Sequence, residues 1–200
     1  MSTHFRRLIL MLFAAVLFLA AGANAQDEAR KLFEAGRYQA VIDQTASDSS
    51  QAGQYLRGLT YLKLNQADPA KDAFRRLQSG GDAWRAVGQS AAAFTDRNLD
   101  AALEAAKSAV SHNAGLAEAQ YQLGLVLEAK GDNAGAADAF AKAADANPQM
   151  AYAHYYAGMN FNKAKRVDRM AVYFENFLKL APNAPERAAV ESIMRTVRGK

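Results

Sequence analysis

The feature that most constrains this chain is an internal period of 34 residues. Residues 117–150 (AEAQYQLGLVLEAKGDNAGAADAFAKAADANPQM) and 151–184 (AYAHYYAGMNFNKAKRVDRMAVYFENFLKLAPNA) align end to end, each 34 residues long. Gly124 falls on Gly158 at the eighth place, Leu127 on Phe161 at the eleventh, Phe140 on Phe174 at the twenty-fourth and Pro148 on Pro182 at the thirty-second. The first copy adds Gly131 at the fifteenth place, Ala136 at the twentieth and Ala143 at the twenty-seventh. A period of this size marks units that stack, because one unit alone cannot bury its apolar face. The chain is rich in good helix formers, has only four Pro and shows little period-two alternation. The fold class that follows is all-α.

These landmarks resemble the tetratricopeptide repeat, and each has a mechanical reason. Small residues at places eight and twenty sit where two antiparallel helices come closest. Large residues at eleven and twenty-four fill the space beside that contact. The Gly at fifteen ends helix A in a conformation that other residues adopt at a cost, and the late Pro stops helix B. Earlier segments echo the pattern. Residues 51–82 carry Gly58, Tyr61, Ala70, Phe74 and Leu77 at the matching places but are two residues short. Residues 83–116 form a degenerate unit in which Ser90, Ala102 and Ala109 suit that frame, while Trp84 and Gly88 fit a frame starting at Gly81. Residues 26–50 read as a truncated unit, with Gly36 and Tyr38 at places fifteen and seventeen. Within the terminal segment 185–200, residues 186–198 read as an amphipathic helix with Ala189, Ile193 and Val197 in line and Val190 and Met194 beside them. Such a helix would cover the last repeat. The resemblance implies a right-handed α-solenoid of antiparallel helix pairs, about four and a half repeats long, with a C-terminal capping helix.

The first 25 residues follow another rule. Arg6 and Arg7 precede the apolar run Leu8–Ala21 (LILMLFAAVLFLAA), and Ala23-Asn24-Ala25 closes the segment with small residues. That order predicts a secretory signal peptide cleaved between Ala25 and Gln26, and with it a periplasmic or secreted protein. The alternative is an uncleaved anchor, but the run is short of the roughly 20 residues a spanning helix needs. With the segment removed, Lys and Arg nearly balance Asp and Glu, so the sequence pI of about 9.3 does not point to nucleic acid. There is no Cys, which excludes disulfides and thiolate chemistry and leaves packing to supply stability.

The resemblance implies that places two, five, nine, twelve and thirteen of each repeat line a concave wall. Those places include Tyr55, Leu59 and Leu62 in the second unit, and Trp84, Val87 and Phe94 in the third. The fourth contributes Tyr121 and Leu125, and the last Tyr152, Tyr155, Met159, Asn162 and Lys163. A wall so rich in Tyr and Trp offers large, stiff contact area with polar handles. It predicts a groove for an extended or helical peptide of a partner protein; packing between neighbouring helices is the competing reading of the same residues. The Lys and Asn pattern with which some such repeats clamp a C-terminal carboxylate is absent, since places five and nine hold Tyr55 and Leu59, Tyr121 and Leu125, Tyr155 and Met159. From residue 151 onward nine Lys and Arg face four acids; this basic end suits an acidic partner, anionic lipid or wall polymer, or else an ordinary solvated helix face.

No Gly-rich phosphate loop, nucleophile elbow or HExxH helix occurs, and His112 and His154 have no second ligand at metal spacing. The expectation is a non-enzymatic protein without metal or cofactor. It is an envelope adaptor, a carrier of exported clients, or a self-associating module.

Overall fold

Hairpin turns at one recurring place set the architecture. In the computed structural model, which describes residues 25–198, φ is positive at Asn65 (57°), Arg97 (60°), Gly131 (84°) and Lys165 (58°). Each is the fifteenth residue of its unit when the third unit is counted from Ala83, so a left-handed residue turns helix A into helix B every time. Arg97 and Lys165 hold there a conformation that costs a residue with a Cβ about 1–2 kcal/mol. Lys165 is exposed, so Lys165→Gly is expected to raise the unfolding free energy by about 1 kcal/mol, read from the midpoint of a urea melt.

The helices run α1 (25–34), α2 (Tyr38–Gln44), α3 (Gln51–Lys63), α4 (Ala67–Arg75, prolonged by a 3-10 turn at Arg76–Ser79), α5 (Asp82–Thr95) and α6 (Leu99–His112). They continue as α7 (Ala117–Ala129), α8 (Asn133–Ala146), α9 (Ala151–Lys163), α10 (Val167–Leu180) and α11 (Arg187–Arg198). From α2 onward each helix packs against the next, and no strand occurs among the described residues. The chain is an all-α solenoid of antiparallel helix pairs. Of the expected signal segment only Ala25 falls within the described residues, and of the segment 185–200 residues 185–198 do.

Within three of the pairs the core is a glycine closed over by a phenylalanine. A Cβ on Gly124 would lie 2.8 Å from Phe140, and one on Gly58 or Gly158 would stand closer still to Phe74 or Phe174. Those three rings are fully buried, so helix A and helix B approach at a distance that only the missing side chain permits. Ala70, Ala102, Ala136 and Met170 fill the twentieth place, also fully buried. The third unit has no such ring: Ser90 Oγ donates instead to the carbonyl of Ala102 on its own helix B, at 2.8 Å. Gly88 answers to the neighbouring unit, where an added Cβ would meet the Phe74 carbonyl at 2.5 Å. The second unit is shorter at its end, where only residues 80–81 separate the 3-10 turn from α5 while residues 147–150 separate α8 from α9.

Side-chain caps start several helices. Ser50 Oγ accepts from Gly53 N, Asn98 Oδ1 from Ala101 N and Asp132 Oδ1 from Gly135 N. Pro148 and Pro182 lie two residues beyond the ends of α8 and α10. At the C-terminus the stripe differs from the expected one. Val190 and Met194 are buried against the array, Ile193 and Val197 are half-buried, and Ala189 is exposed. Turning Val190 rather than Ala189 inward removes more apolar surface from water.

Candidate peptide-binding groove

Helix A of each unit brings its wall positions to one concave side, but that wall is not an open aromatic surface. Tyr55, Tyr121 and Tyr152 are 3–5% exposed and Val87 is fully buried, so at these four places the side chains pack between helices, the competing reading of the same residues. Leu59, Leu62, Trp84, Leu125, Tyr155, Met159 and Asn162 are half-buried. Lys163 is exposed, its ammonium 2.6 Å from Glu128 Oε1 on α7.

Two physical causes bury the aromatics. One is contact between helices: the Tyr55 hydroxyl donates to Gln122 Oε1 at 2.9 Å, joining α3 to α7. Tyr121 packs edge-on against Phe140 and Tyr156 with ring centroids 5.4 and 5.9 Å apart, and Tyr155 meets Phe177 at 5.1 Å. The other cause is α1, which lies across the wall. Phe33 sets its ring edge-on to Tyr152 at 5.4 Å, and Glu34 Oε1 accepts from the backbone N–H of Ala151 at 3.3 Å. Farther along, the Tyr152 hydroxyl donates to Glu186 Oε2 at 2.8 Å, and the Lys63 ammonium stands 5.4 Å over the Tyr152 ring.

Two spaces remain. A partly open cavity of about 160 Å³ lies between α1 and the wall, among Ala29, Phe33, Tyr55, Glu118, Tyr121 and Tyr152. A more open channel of about 330 Å³ runs on the far side of Phe33, floored by Leu59, Leu62, Phe94, Leu125 and Tyr156 and edged by Lys63 and Glu128. Eight of the channel's lining residues occupy wall positions implied by the repeat resemblance, which thus located all of its floor but Tyr156. Sequence reasoning missed Phe33, Glu34 and Tyr156. The apolar i, i+4 pair Ala29 and Phe33 was the available signal for the first.

Burial dominates the electrostatics. The Glu34 carboxyl is pushed up to about 7 by desolvation, against the pull of Arg30 beside it. Desolvation likewise raises Glu118, Tyr55 and Tyr121. His154 is held below its ordinary value by burial, with its Nε2 3.1 Å from the Pro148 carbonyl. The basic end is partly engaged inside the array, where Arg166 and Arg169 face Asp138 across the unit boundary and Arg169 lies 4.4 Å over the Phe161 ring. Among the described residues no group of His, Asp and Glu is placed to hold a metal ion. No described helix is long and apolar enough to cross a membrane. What the channel offers is an apolar trough with Lys63 and the Lys163–Glu128 ion pair on its rim.

Family models of the tetratricopeptide repeat match residues 52–79, 117–150 and 152–184. Among curated proteins none matches the chain in sequence. Of the solved structures, TTC0263, a thermophilic TPR protein of Thermus thermophilus, is similar with a TM-score of 0.60 and 19% identity, over 86% of this chain and 98% of its own. YrrB, described as a TPR protein with an unusual peptide-binding site, gives 0.52 and 19% identity over 82% of this chain and 88% of its own. With the Gly–Phe pairs and left-handed turns recurring at the same places, this chain is an all-α solenoid in which residues 52–79, 117–150 and 152–184 match the tetratricopeptide repeat.

Proposed function

We propose that the chain is a non-enzymatic adaptor of the cell envelope whose concave groove takes a peptide or helix from a partner protein. The observation that carries this reading is the channel floored by Leu62, Phe94, Leu125 and Tyr156. It is apolar, half-buried and formed by side chains from α3, α5, α7 and α9 together, which is how apolar grooves for partner segments are made. The peptide-binding site described for YrrB supports the same use of the fold. The N-terminal order of Arg6 and Arg7, an apolar run and Ala23-Asn24-Ala25 supports export.

The test places a photo-reactive phenylalanine analogue at Phe94 in living cells and identifies what it captures. An adaptor gives one stoichiometric partner, whereas a carrier gives many unfolded clients. Leu62→Glu with Leu125→Glu is expected to lower capture by roughly tenfold or more, because a carboxylate on an apolar floor must be desolvated when the partner seats. Far-UV circular dichroism should stay unchanged. Undiminished capture by the double variant would remove the channel from the binding surface.

A further inference from the structure

The cavity beside α1 and the channel beyond Phe33 are one trough divided by a side chain. Leu59 and Tyr121 line both spaces, and so does Phe33. Phe33 belongs to α1, which is joined to α2 by residues 35–37 with Gly36 in the left-handed region (φ 71°). An isolated helix of α1's length is unstable in water, so α1 holds its shape because it is seated.

Its seating has the chemistry of a bound ligand. One aromatic side chain enters the trough, and the next residue, Glu34, brings its carboxyl to the Ala151 N–H in the first turn of α9, where a helix leaves unpaired donors. At the outer end Gln26 Nε2 donates to Ser50 Oγ at 2.7 Å. The fit is incomplete: Ala29, one turn before Phe33, lines the cavity of about 160 Å³ that α1 leaves behind it.

We propose that α1 is a displaceable occupant of the trough, and that the partner is a helix presenting an aromatic residue followed directly by Asp or Glu, with a large apolar residue four places before the aromatic. The aromatic replaces Phe33, the carboxyl group replaces that of Glu34 and the apolar residue fills the cavity beside Ala29. This rests on the groove reading above and names its occupant.

The probe is a fluorescent peptide of residues 26–37 of this chain, in three forms: native, Phe33→Ala and Ala29→Leu. The full-length chain carrying Phe33→Ala is expected to bind the native peptide about tenfold more tightly than the unaltered chain does, because α1 no longer competes. The Ala29→Leu peptide should bind more tightly still, and the Phe33→Ala peptide should not bind. Equal binding by both chains, or binding indifferent to the peptide's phenylalanine, would overturn the proposal.

Amide exchange on the unaltered chain gives a second reading that does not depend on the variant folding. Residues 27–34 should exchange faster than α8, and faster again with excess native peptide; protection equal to that of α8 would overturn the proposal. So would a dimer in sedimentation with α1 exchanged between copies. If these tests fail while capture from Phe94 persists, the groove stands and only the plug is lost.

Discussion

Phe140→Ala is expected to lower the unfolding free energy by about 3–5 kcal/mol, the range for truncating a fully buried phenylalanine. The ring is fully buried, stacks on Tyr156 at 5.2 Å and meets Tyr121 edge-on at 5.4 Å. It also closes over Gly124, so its loss opens a void between α7 and α8 that neither backbone can fill. The damage should spread to the groove, because Tyr121 and Tyr156 lose the surface that orients them. A companion substitution approaches the same contact from the other side. Gly124→Ala would put a Cβ 2.8 Å from the Phe140 ring, and pairing it with Phe140→Leu should cost less than the two single changes added together. Urea melts followed by circular dichroism measure all three variants. A loss under about 1 kcal/mol for Phe140→Ala would contradict this packing.

The second large effect is a pH dependence at α1. The Glu34 carboxyl has an ordinary value of 4.5 and is pushed up to about 7 in the docked helix. The folded value lies above the unfolded one, so its contribution is fully present below pH 4.5 and is lost as the pH rises to about 7. Docking of α1 should therefore weaken across that window by about 2–3 kcal/mol and change little above it. The groups facing the carboxyl are Arg30, Lys31 and Asp27 on its own helix and the Ala151 N–H of α9. Arg30 and Lys31 oppose the shift, and burial outweighs them. Glu34→Gln keeps an acceptor for Ala151 and removes the titration. Amide exchange of residues 27–34 between pH 5 and 8, corrected for the intrinsic rate, should slope for the unaltered chain and be flat for the variant. Equal slopes would place the titrating group elsewhere.

Much of the fold was legible because its determinants are local and recur at fixed spacing. Gly124 with Phe140 and Gly158 with Phe174 announce a close helix pair wherever they stand 16 residues apart. The left-handed turns at Arg97 and Lys165 were harder to see. A long cation there gives no sign of its backbone, and only the frame predicts it. The binding wall was legible in position and not in exposure. Helical spacing says which side Tyr55, Tyr121 and Tyr152 face, but their burial comes from α1 and from the next unit. Contacts such as Glu34 with Ala151, which lie 117 residues apart, leave no periodic trace. That the N-terminal units could fold over the groove was open on the sequence alone, and α1 does cross it.

That crossing has a consequence for how the array comes apart. A linear stack shares stability only between adjacent units, so its ends can fray while its middle stays folded. Here Glu34 reaches α9, a Cβ on Gly36 would stand 2.9 Å from Pro185, and Tyr152 binds Glu186 ahead of α11. The first and last units hold each other, and the stack is closed into a loop. Loosening either terminus loosens the other, which makes melting more nearly all-or-none than the repeat architecture alone would. The long-range closure also raises the contact order of a chain whose other contacts are mostly local, and so slows the last step of its folding.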